Sequence, residues 1–348
     1  CGDNIFEEEY AADFCSGSIR IEIPDVKLWW PKGYGDPNLY DMTFELLHKG
    51  MVVDTRCERI GIRKIDIQTA YEEGDAGEFK ILVNNVPILA KGSNWVPLDA
   101  FHSRDKDRLK TAHDMLNDLG CNIVRCWGGN VYEDHHFYDL CDERGMMVWQ
   151  DFAMACAVYP QNDEFADIIE KEATSVVKKL RNHPSIILWA GDNEVDQVYY
   201  FQGYNLPSAR YNRISREVLP RVIGSHDPYR AFIPSSPYIP EGDLSVPEQH
   251  NWGPRDYFKG DFYKHTSAHF ISEIGYHGCP AVSSIRKFIP EDKLWPLTDN
   301  DDWDTHSTDY IRISRRGNNR NELMANQVRI LFGFMPRSIE DFALASQI

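Results

Sequence analysis

The 348-residue sequence has no run of about 18 apolar residues, which excludes a membrane-spanning helix. No charged-then-apolar leader opens it, and either the cytoplasm or a periplasmic or secreted setting fits. Positive charge is scarce: 37 Lys and Arg stand against 54 Asp and Glu, a net charge of −17. That excess repels phosphate backbones and anionic lipid, so nucleic-acid and membrane-surface partners are not expected. Cysteine is sparse too. Eight Cys are too few for a disulfide scaffold, and no C-x-x-C pair is present for zinc or redox work. Cys121, Cys126, Cys141 and Cys156 fall in apolar segments, and most of them are expected as reduced core thiols. Gly33-Tyr34-Gly35 lacks the third glycine of a dinucleotide turn. No Ser–His hydrolase elbow or zinc constellation is visible, so no metal and no cofactor is expected. Aromatics, at 12%, are the one surplus, suited equally to sugar stacking and to large cores.

What is present divides into two grammars. Ser18–Ile23, Met42–Leu47 and Met51–Thr55 alternate at period two around a dense loop, Pro31–Pro37. This is antiparallel strand grammar, and residues 1–74 are expected to form part of an immunoglobulin-like β-sandwich. From 75 to 348, apolar strands alternate with amphipathic helices. The strands are expected at Ile88–Gly92, Asn122–Trp127, Met146–Gln150, Ser185–Ala190, Ala231–Pro234, Val246–His250 and His269–Glu273. Helices are expected over Asp105–Leu119, Glu133–Arg144, Asp163–Arg181 and Ala209–Ile223, with Gly120 and Gly145 as C-caps. Such a series favours an α/β fold of the (β/α)8 barrel type, a TIM barrel. Asp341–Ile348 reads as the opening of a helix, no eighth strand is seen, and the chain is expected to be a piece of a longer protein.

In a (β/α)8 barrel the reactive residues lie at the C-terminal ends of strands. Those ends read Asn94 and Trp95, Trp127–Asn130, Gln150 and Asp151, Asp192–Glu194, His250–Trp252, and Glu273. Glu194 and Glu273 would close strands four and seven and face each other across the mouth. A glycosidic bond needs one carboxyl to protonate the departing oxygen and a second to attack the anomeric carbon. Carboxyls about 5–5.5 Å apart give retention by double displacement.

Trp189-Ala190-Gly191-Asp192-Asn193-Glu194 and Phe270-Ile271-Ser272-Glu273-Ile274-Gly275 resemble the acid/base and nucleophile motifs of glycoside hydrolase family 2. Leu28–Gly35 and the stretch Asn122–Pro160, with Arg125-Cys126-Trp127-Gly128-Gly129 and Val148-Trp149-Gln150-Asp151-Phe152, are similar to its β-mannosidase branch. The resemblance implies a retaining exo-glycosidase acting on β-mannosides, with Glu194 as general acid/base and Glu273 as nucleophile. It further implies Asn193 on the sugar 2-hydroxyl, Trp127 walling the terminal subsite, and His250, Trp252 and Tyr276 as further substrate contacts. The acid should hold its proton near neutral pH, with a pKa raised toward about 6–7. Three positions depart from the usual pattern: Asp192 stands for Asn, Asn130 for a third Gly, and Ile274 for an aromatic. The resemblance also implies an N-terminal jelly-roll domain and the rest of the sandwich domain, which are expected in the parent protein rather than in this stretch. Rival readings are another family 2 exo-glycosidase (β-galactosidase, β-glucuronidase or β-glucosaminidase) and a non-catalytic carbohydrate-binding fragment.

Other motifs read as structural. Glu133-Asp134-His135-His136 is expected on a solvated helix face rather than at a metal, since adjacent helical residues diverge. Asp299–Asp304 is expected as an acidic surface loop, and Asn182-His183-Pro184 as a helix stop. Trp29, Trp30, Trp149 and Trp189 are expected in the core.

Overall fold

The computed structural model describes residues 5–12, 14–15, 17–72, 75–201, 209–240, 246–252, 261–275, 278–297, 299–306 and 320–348. The chain separates into two compact units: residues 1–249 with 268–272, and residues 250–267 with 273–348.

In the first unit, β1 (Tyr40–His48) and β2 (Met51–Ile60) form an antiparallel ribbon through the Lys49-Gly50 turn. Ser18–Ile23 is not a strand, against expectation. Alternation suits a segment to a sheet, but no described strand pairs with it, and an unpaired extended segment has no ladder. Next come β3 (Ile65–Glu72), β4 (Asp75–Val83) and the short β5 (Val86–Pro87), an antiparallel sheet. Phe79, Ile81 and Val83 of β4 pack into one core with Trp149, Ile187 and Ile233.

Five parallel strands follow: β6 (Gly92–Trp95), β7 (Ile123–Cys126), β8 (Met147–Asp151), β9 (Ile186–Ala190) and β10 (Ala231–Ile233), in the order β10-β9-β8-β7-β6. β11 (Glu248–Asn251) and β12 (Phe270–Ile274) pair as a separate two-stranded sheet. Six of the seven expected strands occur within about two residues; the first, expected over Ile88–Gly92, lies instead at Gly92–Trp95 and shares only Gly92 with the expectation. Ile88, where the strand was expected to begin, donates its N–H to Ile81 O of β4, and Gly92 lies so close to β7 that a Cβ would meet Ile123 O at 1.9 Å.

Side-chain parity separates two cores. On β8, Val148 packs with the helix layer, where Phe137, Tyr138, Val177 and Leu180 lie. Met147 and Trp149 point to the opposite side. The helices that cover the sheet are α1 (Lys106–Asp118), α2 (His135–Arg144) and α3 (Asp163–Leu180). α3 buries Ala166, Ile169, Ala173, Val176, Val177 and Leu180, the three-and-four spacing of one helical face. Its Asn162 side chain accepts from Phe165 N, a cap worth about 1 kcal/mol. Gly145 ends α2 in the left-handed region at φ 65°, and a Cβ there would meet Lys32 N at 2.8 Å. No other residue serves both demands. After β9 come α4 (Val195–Phe201), a π-helical turn at Ile214–Val218 and α5 (Leu219–His226).

The second unit has its own core, in which Ile285, Leu294, Trp303, Val328 and Phe342 meet. They come from α6 (Val282–Ile285), α7 (Asp301–Thr305), α8 (Arg320–Phe332), α9 (Ile339–Gln347) and the segments between them. The expected acidic loop at 299–304 is instead largely the short helix α7, capped by Asn300, with Trp303 buried.

Candidate active site

The first unit assembles its polar residues around Arg125. Parity on β7 turns Arg125 to the side of Ile123, and on β8 places Asp151 with Met147 and Trp149. Arg125 is 4% and Asp151 1% exposed. Their ion pair closes at 2.7 Å, and Trp149 Nε1 donates to Asp151 at 2.8 Å. The guanidinium also donates to Asn94 Oδ1 at 3.1 Å and to Asn193 Oδ1 at 2.7 Å. Arg125 thereby fixes the orientation of the Asn193 amide, whose Nδ2 donates to Cys156 Sγ at 3.4 Å.

Asn193 and Glu194 follow β9 on a turn stitched to both neighbours. Asn193 N donates to Met154 O, Glu194 N to Ser236 O, and Ser236 N to Asp192 O. Glu194 adopts φ 57° and Cys156 φ 49°. A non-glycine residue in this region costs roughly 1–3 kcal/mol, the kind of strain that surrounding structure sustains at functional sites. Glu194 is half-buried, and its Oε2 lies 3.4 Å from the Cys156 thiol. Cys121, Cys126 and Cys141 are buried, so most of the four are core thiols as expected, and Cys156 is the exposed exception; the left-handed kink after β8 turns it toward this site. Gly128 approaches the same turn: its N donates to Asp151, and a Cβ would meet Met154 O at 2.3 Å and Asn193 N at 3.0 Å. Trp127 is half-buried, with its ring over Gly129.

In the second unit Glu273, 6% exposed, accepts from Trp252 Nε1 at 2.8 Å and stands 3.4 Å from His250 Nδ1. Gly275 makes room for that indole, since a Cβ there would sit 2.5 Å from Trp252 Cζ3. The first unit thus gathers Trp127, Asn193 and Glu194, and the second gathers His250, Trp252 and Glu273. Tyr276 lies outside the described residues.

Sequence reasoning read Asp151 at a strand end without giving it a role, and left Arg125 and Cys156 out of the site. An arginine inside an otherwise apolar strand was the available signal for the first two. The solvated-face expectation for Glu133–His136 holds at Asp134, His135 and His136, which are exposed, and fails at Glu133. Glu133 is buried and accepts from Trp95 Nε1 at 2.9 Å, with its carboxyl pushed above the usual range by burial. His135 meets His183, whose Nδ1 pairs with Asp142 at 2.7 Å. Among the described residues of the first unit, two trios bring metal-ligating atoms within 4.8 Å: His102, Asp105 and Glu133, and Asp139, Asp142 and His183. Each is tied by hydrogen bonds of its own, His102 to Asp105 and His183 to Asp142, which is the arrangement of a structural cluster.

Two family profiles match the chain: "Glycosyl hydrolases family 2" over residues 3–63, and "Glycosyl hydrolases family 2, TIM barrel domain" over residues 77–218. The chain belongs to glycoside hydrolase family 2. It is a family 2 TIM barrel domain preceded by a sandwich-type domain, and the five-stranded parallel sheet fits part of such a barrel. Among family 2 members it is similar to the β-mannosidase of Capra hircus, 32% identical over 333 residues, covering 88% of this chain and 36% of that protein. β-Mannosidase B of Aspergillus terreus is 34% identical over 298 residues, covering 79% and 35%. The crystal structure of a β-D-mannosidase from Dictyoglomus thermophilum superposes with a TM-score of 0.78 at 36% identity, covering 92% of this chain and 39% of that one. The exo-chitosanase of Amycolatopsis orientalis, at 19% identity and a TM-score of 0.68, shares the fold. The chain therefore spans little more than a third of the length of these relatives. No helix among the described residues is long and apolar enough to cross a membrane.

Proposed function

We propose that this chain carries the catalytic residues of a retaining, exo-acting β-mannosidase. Residues 1–74 would be the end of a sandwich domain, 75–348 the catalytic barrel, and the parent protein would supply the rest. Glu194 donates a proton to the glycosidic oxygen while the Glu273 carboxylate attacks the anomeric carbon, so the bond to the leaving alcohol breaks as a mannosyl ester forms. Glu194 then takes a proton from water, the hydroxide oxygen bonds to the anomeric carbon, and Glu273 is released. Asn193 would hold the sugar 2-hydroxyl, with Trp127, His250, Trp252 and Tyr276 lining the terminal subsite.

The observation that carries this reading is the contrast between the two carboxyls. Glu273 is buried and accepts an indole N–H, which steadies an anion poised to attack. Glu194 is half-buried on a strained turn beside a thiol and an amide held by Arg125. The test is turnover of 4-nitrophenyl β-mannoside, β-galactoside, β-glucuronide and β-glucosaminide by the full-length protein. Preference for the mannoside supports the assignment; turnover of another sugar with none of mannoside refutes it. Glu194→Ala should spare activated aryl mannosides far more than mannobiose, because only the poorer leaving group needs the acid.

A further inference from the structure

Beside the Glu194 turn lie two buried carboxyls that the proposed mechanism does not use. Asp192 is 1% exposed and Asp196 is fully buried. Asp192 Oδ1 accepts from the Ser235 hydroxyl and from Val195 N, while Asp192 Oδ2 has no hydrogen-bond partner among the described residues. Asp196 Oδ2 accepts from Arg216 at 2.7 Å and from Ile239 N at 3.0 Å, while its Oδ1 likewise has none. The titratable and charged groups facing the pair are Arg216 from the π-helical turn, Tyr199 from α4, and Tyr238, whose ring lies 5.5 Å from the Arg216 guanidinium. Two ionised carboxylates would leave one negative charge buried without a counter-charge from Arg216. They would also leave two oxygens without donors.

We propose that Asp192 is a positioning residue for Glu194: it stays a neutral carboxylic acid, so that Asp196 alone of the two buried carboxyls is charged and the turn between them is steadied. One proton removes the uncompensated buried charge and leaves Asp196 paired with Arg216. Burial, reinforced by the charge of Asp196, pushes the Asp192 carboxyl well above the usual range, in keeping with this state. The link to Glu194 is short. Asp192 O accepts from Ser236 N at 3.0 Å, and Ser236 O accepts from Glu194 N at 2.9 Å. A displacement of Asp192 is thus passed to the strained Glu194 backbone through two hydrogen bonds. The positioning half of the proposal rests on the reading of Glu194 as the acid/base; the proton does not.

The test uses the full-length protein with Asp192→Asn, which keeps a neutral donor, and Asp192→Ala, which removes it. The infrared difference between the native protein and Asp192→Asn at pH 7 should show one protonated-carboxyl band in the native protein alone. Absence of that band overturns the neutral acid. In urea, the unfolding constant of the native protein should grow relative to that of Asp192→Asn by about tenfold per pH unit above the ordinary aspartate range, because the unfolded chain releases a proton that the folded one keeps. Equal pH slopes also overturn it. Asp192→Ala should lower kcat on 4-nitrophenyl β-mannoside about tenfold or more with little change in KM, and Asp192→Asn should recover most of that loss. A native kcat in Asp192→Ala, or equal losses in both variants, overturns the positioning role. The infrared and urea results stand whatever sugar the enzyme cleaves.

Discussion

Arg125→Met is the most exacting perturbation of the first unit. Methionine keeps most of the aliphatic stem, so the change deletes the guanidinium with little loss of packed volume. It strands Asp151, 1% exposed, without the cation 2.7 Å away, and strips the donor from Asn193 Oδ1. Breaking a buried pair by removing one partner typically costs about 3–5 kcal/mol, most of it the uncompensated charge left behind. Adding Asp151→Asn removes that charge, so the double variant should regain roughly half the loss or more, a coupling that two independent sites would not show. Kinetically, a released Asn193 amide should reduce kcat by up to about 10²-fold, the scale of an ångström misplacement. Urea unfolding followed by tryptophan fluorescence, with turnover of an aryl mannoside, reads both effects. An Arg125→Met protein within about 1 kcal/mol of native and within twofold in kcat would refute the reasoning.

Three further outcomes follow from single positions. Gly128→Ala drives a Cβ toward Met154 O and Asn193 N, backbone atoms that cannot swing aside, so about 1–3 kcal/mol of stability and most activity should be lost; a native urea midpoint would contradict this. Gly275→Ala should push the Trp252 ring off Glu273, changing fluorescence and lowering activity as Trp252→Phe does; unaltered turnover would show that the indole contact is dispensable. Burial and the Arg144 charge hold the His113 pKa down at about 4. A His with a depressed folded pKa contributes stability that is present above the unfolded value near 6.5 and lost as pH falls toward about 4. His113→Gln should therefore flatten the decline in urea midpoint across that window, and an unchanged slope would rule His113 out as its source.

Much of the barrel was legible because alternation and helical spacing report burial directly. Strands β7, β8 and β9 are buried throughout and fall within about a residue of expectation. β6 shifted because Ile88 N bonds Ile81 O of β4 while Leu89 O and Lys91 N bond the Asn122 side chain, choices that depend on neighbours rather than on local pattern. Ser18–Ile23 failed for the complementary reason, a pattern with no pairing strand. Glu194 and Glu273 were singled out as candidates because strand ends are where a (β/α)8 barrel displays chemistry. Arg125 was half legible, its charge conflicting with an apolar strand. Cys156 was not, since an apolar neighbourhood says nothing of a left-handed kink that turns a thiol outward. The Asp192–Asp196 pair was equally hidden: burial and unpartnered oxygens are properties of packing, not of spelling.

The measurement that bears most directly on the central claim is trapping of the glycosyl-enzyme. A 2-deoxy-2-fluoro-mannosyl donor with fluoride as leaving group slows release of the ester more than its formation, because the electron-poor sugar destabilises both transition states while the good leaving group rescues the first. Mass spectrometry of the digested full-length protein should place one fluoromannosyl group on the peptide containing Glu273, and Glu273→Gln should abolish labelling. A label on any other residue, or labelling that survives Glu273→Gln, would contradict the account.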